Sequence, residues 1–102
     1  MLETLSSAEF RVLLEQDCIA IASEGELLLV IAEVSDYPDC ALPNATRKPF
    51  RVLLRGPESP TLSDGLCGLR TPNWFLPEVY LNRVIPRPGS VVGAYYQVIF
   101  SA

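Results

Sequence analysis

The sequence predicts a mainly β fold: about six antiparallel strands in a meander, forming a small barrel or sandwich, with one short N-terminal helix. Three observations predict it. Apolar residues alternate with period two through most of the chain beyond residue 17. Clusters of Gly, Pro and Asn punctuate that alternation at regular spacing. No helical pattern recurs between the strand patterns, so βαβ units are not expected and the strands run antiparallel. With 102 residues, the chain is expected to form a single domain over 1–102.

The helix is expected over about residues 6–15. Ser6 and Glu9 have the Ser-x-x-Glu spacing of a capping box, and Leu5 and Phe10 occupy the two staple positions. Phe10, Leu13 and Leu14 share one helical face. A helix this short does not persist alone, so that face must dock.

CIAIASE, residues 18–24, then alternates, and ELLLVIAEVSD, residues 26–36, continues as a longer strand. The two read as a hairpin turning at Glu24-Gly25-Glu26. Pro38, Pro43, Asn44 and Pro49 make 37–49 a loop. In the next strand Phe50, Val52 and Leu54 share one face, and Arg51, Leu53 and Arg55 share the other. The arginines are expected on the solvent side, beside acids such as Glu33 or Asp36. Arg55-Gly56-Pro57 ends that strand. LCGLR (66–70), WFLPEVYLNRVI (74–85) and AYYQVIF (94–100) supply three more. Pro77 near the start of the second of these predicts an edge or a bulge there.

Composition excludes several chemistries. The net charge of −4 disfavours nucleic-acid binding by phosphate neutralisation. Residues 1–39 hold nine acids and one base, whereas 40–102 hold three acids and seven bases. The halves are expected to pair across the sheet. Histidine is absent, so Ser-His and Cys-His pairs are impossible. Cys18, Cys40 and Cys67 are widely spaced, form no CxxC, and read as buried reduced thiols suited to the cytoplasm. Lys48 is the single lysine and sits in the Pro-flanked loop, a poor partner for a nucleophilic serine. Glu24 and Glu26 read as a solvated hairpin tip, and Asp36, Asp39 and Asn44 lack calcium-loop spacing. No catalytic residue, metal or cofactor is therefore expected. MLETLSSAEF lacks the pattern of a signal peptide. The longest apolar run, Leu27–Ala32, is too short for a helical span, so no membrane contact is expected.

MLETLSSAEF, PFRVLLRGP and the closing YQVIF resemble a family of small bacterial domains of uncharacterised function. The resemblance implies a Leu-x-x-x-x-Phe helix, an alternating hairpin, a Pro-Phe-x-x-x-x-Arg-Gly-Pro strand and turn, and a Tyr-x-x-x-Phe strand. It implies no catalytic residues. It also implies genes near phage-tail-collar-like proteins, and hence an accessory role in such an assembly.

The first hairpin departs from that pattern. Its expected outer positions, Ala20, Ala22, Leu28, Val30 and Ala32, are all apolar. A strand apolar on both faces must be covered on both. Either the helix or a partner subunit supplies the cover. The leading expectation is thus a non-enzymatic interaction domain that self-associates as a homodimer or higher oligomer, or binds another protein. The alternative is a small-ligand barrel whose mouth holds Trp74, Arg70 and Tyr95, residue types enriched at binding sites.

Overall fold

A computed structural model describes residues 6–36 and 49–100. Leu5, Cys40, Lys48 and most of the 37–49 loop, with Asp39 and Asn44, lie outside the described residues. The elements are α1 (Ser7–Arg11), β1 (Asp17–Ala22), β2 (Gly25–Asp36), β3 (Phe50–Gly56), β4 (Gly65–Arg70), β5 (Phe75–Val84) and β6 (Ala94–Phe100). All strand pairings are antiparallel, and the sheet closes into a barrel.

The strand order is β1-β2-β3-β6-β5-β4, not sequential. Two three-stranded meanders are joined by residues 57–64, which cross one end of the barrel. Leu62 on that crossing is buried, and its amide donates to the Tyr96 hydroxyl at 3.0 Å. The phenol oxygen thus satisfies the amide where neither meets water.

The opposite end is closed by the helix. The expected capping box forms, with the Ser6 amide and hydroxyl both donating to the Glu9 carboxylate at 2.6 Å. These bonds hold the Glu9 carboxyl below its ordinary value, the Ser6 hydroxyl contributing most. Regular helix spans five residues, with turns over 12–15, shorter than the pattern suggested. The turns close at Glu15, which takes a positive φ of 62° and whose amide donates to the Ile31 carbonyl at 2.8 Å. Tertiary pairing with β2 thus overrides the helical propensity of residues 12–15. Phe10 is fully buried, with ring centroids 5.7 Å from Phe50, 5.2 Å from Phe100 and 4.8 Å from Trp74.

The inward faces alternate as strands require. Phe50, Val52 and Leu54 of β3, and Ala94, Tyr96, Val98 and Phe100 of β6, point into the core. Pro77 lies where β5 skips register opposite β4, between the Cys67–Val79 and Leu69–Leu76 pairs. The expected bulge is there.

Because Phe10 contacts three other rings at the barrel end, Phe10→Ala is expected to cost about 3–5 kcal/mol. Urea unfolding measures this. A loss under ~1 kcal/mol would show that Phe10 does not seal the core.

Candidate functional site

The first hairpin turns one residue earlier than expected. Ala22 pairs with Gly25 across a two-residue Ser23-Glu24 turn, so Ala20 faces Leu27 and Ile19 faces Leu28. A shift of one residue exchanges the two faces of a strand. Ala20 is therefore fully buried inside the barrel, and Ala22 packs against the core. Both are corrected as interface candidates. Leu28 and Val30 do lie on the outside, as does Ala32, the extra residue of a bulge between Ile31 and Glu33.

With that register, the outer side of β2-β1-β4-β5 carries a continuous apolar band. Ile19 lies between Leu28 and Arg70, Ile21 between Glu26 and Gly68, and Leu66 opposite Tyr80. The Phe75 ring lies over Gly68, where an added Cβ would sit 3.1 Å from the ring edge. Leu28 is 56% exposed and Leu66 61%, and Phe75 and Tyr80 are exposed too. A charged pair lies within the band: Glu26 and Arg70, on either side of β1, approach to 3.9 Å. Beside it a cleft of about 240 Å³ is lined by Asp17, Cys18, Ile19, Leu28, Arg70, Thr71 and Pro72. Sequence reading missed Ile19, Ile21, Leu66, Phe75 and Tyr80. The signal was present: each alternates with a residue that is equally apolar or small.

The three proposed ligand contacts do not share a mouth. Arg70 lines the cleft. Trp74 is half-buried and edge-on to Phe10 at 76°, so its ring belongs to the core. Thr71 knits this turn, its hydroxyl accepting from the Asn73 and Trp74 amides and donating to the Trp74 carbonyl. Tyr95 lies on β6 opposite Arg55, toward the end of the barrel remote from Phe50 and Phe100. It is buried, and its hydroxyl donates to the Val91 carbonyl at 2.6 Å.

Tyr95 borders a second, smaller cleft of about 170 Å³ on the far wall, with Ala32, Glu33, Leu53, Arg55, Arg87, Ser90 and Val91. Glu33 organises it. Its carboxylate accepts from Ser35 at 3.0 Å, from Arg51 at 3.1 Å and from Arg87. The Ser35 bond, then the Arg87 and Arg51 charges, hold the Glu33 carboxyl below its ordinary 4.5, against some desolvation. The expected pairing of the two halves is general. Arg51, Arg55, Arg70 and Arg87 each meet an acid from residues 15–33.

Burial pushes the Cys18 thiol up to about 12, helped by the Asp17 and Cys67 charges. Burial, then Glu24, raises Cys67. Thiols that stay protonated are poor nucleophiles. Among the described residues, no three His, Cys, Asp or Glu side chains converge as metal ligands. None of the described helices is long and apolar enough to cross a membrane.

Two outcomes follow. A lowered folded pKa gives Glu33 a stabilising contribution that is present above about 4.5 and is lost as pH falls through the folded value. Glu33→Gln should therefore flatten the loss of stability below that pH in urea titrations, and an unchanged acid limb would exclude Glu33. In a Cys40→Ser background, a thiol-specific disulfide reagent at pH 8 should label neither native cysteine and both after unfolding. Rapid native labelling would overturn the buried, protonated assignment.

No curated protein matches the chain, and no solved structure does. A family of domains of unknown function, DUF6916, matches residues 5–100. That match covers nearly the whole sequence, and the chain belongs to the DUF6916 family.

Proposed function

We propose that this domain is a non-catalytic protein-interaction module that self-associates through the outer face of β2-β1-β4-β5. The observation that carries the reading is the band of Leu28, Ile19, Ile21, Phe75, Leu66 and Tyr80, contiguous across four strands and facing solvent. Contiguous apolar surface of this kind marks an interaction site more often than a solvated wall. Fully burying each exposed leucine contributes at most about 1.5–3 kcal/mol. Phe75 and Tyr80 add large rings, which dominate interface energetics.

A second copy of the chain is the occupant. Laid against its own copy, such a face buries the same leucines and rings from both sides. A self-associating β domain also suits an accessory part of a phage-tail-like assembly, where repeated subunits are the rule. The small-ligand alternative rests on the Asp17–Arg70 cleft alone, without Trp74 or Tyr95.

Size exclusion with light scattering tests the reading. The wild-type chain is expected to run as a dimer or larger, and Leu28→Glu with Leu66→Glu as a folded monomer. A monomeric wild type at millimolar concentration would overturn the proposal.

A further inference from the structure

The two clefts differ in how their charges are answered. In the far-wall cleft, Arg87, on the 85–93 loop that joins β5 to β6 and carries the exposed Ile85, Val91 and Val92, is ion-paired to Glu33, and Arg55 is paired to Glu15. In the cleft beside the band, Asp17 makes no ion pair among the described residues. Arg70 lines the same cleft, and its ion pair with Glu26 is 3.9 Å long. A carboxylate and a guanidinium thus stand in one cleft without being paired to each other.

The sheet register fixes their spacing. Ile19 of β1 lies between Leu28 of β2 and Arg70 of β4. Asp17 stands two residues before Ile19 on β1, and so on the same outer face. It is the diagonal neighbour of Arg70, and such neighbours are about 7–8 Å apart. The surface between them is aliphatic, made by Ile19 and Leu28 with Pro72 beside them. The walls are built in advance. Adjacent strands of the closed barrel carry them, and the Thr71 hydroxyl fastens the turn around Pro72, accepting from the Asn73 amide at 3.2 Å and the Trp74 amide at 3.1 Å. A site already in its binding shape loses little to ordering when a ligand arrives. At about 240 Å³ the cleft is smaller than the roughly 300–1,000 Å³ of sites for drug-sized molecules, and it suits a ligand of amino-acid size.

We infer that this cleft binds a free aliphatic α-amino acid. The ligand's ammonium meets Asp17, its carboxylate meets Arg70, and its side chain lies on Ile19 and Leu28. An apolar ligand would leave both charges unanswered, and a ligand with one charge would leave one of them. A zwitterion answers both, through the charge-assisted hydrogen bonds that are the stronger kind. The end of a peptide carries only one of the two charges, so the free amino acid is the better fit. This site goes beyond self-association and does not rest on it. It shares Ile19 and Leu28 with the band, so a bound amino acid and a second copy compete for the same residues.

Titration with L-leucine, followed by amide and methyl NMR, tests it. The wild type in dilute solution is run beside Leu66→Glu, which breaks the band on β4 but lies outside the cleft, so that assembly does not mask the site. Leucine is expected to shift the signals of Asp17, Ile19, Leu28 and Arg70 in both. N-acetyl-leucine lacks the ammonium and leucinamide lacks the carboxylate, and each should bind at least ~10-fold more weakly. Glycine, with no side chain to lay on Ile19 and Leu28, should also lose about 10-fold. Asp17→Asn and Arg70→Gln, shown to be folded by circular dichroism, should each weaken leucine by about 10-fold. Unmoved signals at those four residues, equal binding of leucine and its two blocked forms, or undiminished binding by folded Asp17→Asn would overturn the proposal. Leucine binding by a wild type that stays monomeric at every concentration would support this site and refute self-association.

Discussion

A closed barrel of six strands has two ends, and both must be stopped for its interior to stay dry. Here the chain does this with its own side chains. Phe10 seals one end among Phe50, Phe100 and Trp74. Leu62, held by the Tyr96 hydroxyl, closes the other. Between them Leu29, Ile31, Leu54, Leu69, Leu76 and Leu81 are almost fully buried. Interiors packed in this way hold few voids larger than a water molecule. The apolar residues left over must stand on the outside, and there they gather into a band and a loop.

Charge follows the same division. The acid-rich first half and the base-rich second half meet in ion pairs at the surface, such as Arg55–Glu15 at 3.4 Å, and in the half-buried pair Arg51–Glu33 at 3.1 Å. Such pairs contribute roughly 0–1 kcal/mol each, so they do not hold the barrel together. Their effect is positional. Arg87 tied to Glu33 sets where the 85–93 loop rests, on the wall away from the band.

Much of the barrel was legible in the sequence. Residues 94–100 were delimited as they occur, and the inward set of β3 followed from simple alternation with arginine. The capping box placed the helix start. The first hairpin was misread because alternation informs only when one face is polar. In β1 both Cys18-Ala20-Ala22 and Ile19-Ile21 are apolar, so the turn alone sets the faces, and the turn was one residue out. The larger isoleucines lie outside because a narrow barrel already filled by Leu29, Leu69 and Tyr96 has room on β1 only for Cys18 and Ala20. The strand order escaped as well. Nothing local in residues 57–64 says that they cross the barrel to a non-adjacent strand. Trp74 and Arg70 were placed beside the same turn, but Tyr95 was not resolvable by proximity in sequence, since its position depends on that crossing.

The barrel interior is full, and under the proposed self-association the outer band is covered by assembly. Methyl NMR with a soluble nitroxide reads both at once, over a concentration series. The methyls of Leu29, Leu54 and Leu69 should stay sharp throughout. The nitroxide's contribution to the linewidths of Leu28 and Leu66 should be large in dilute solution and fall as the chain is concentrated. Broadening of the interior methyls, or outer methyls equally broadened at every concentration, would contradict the account.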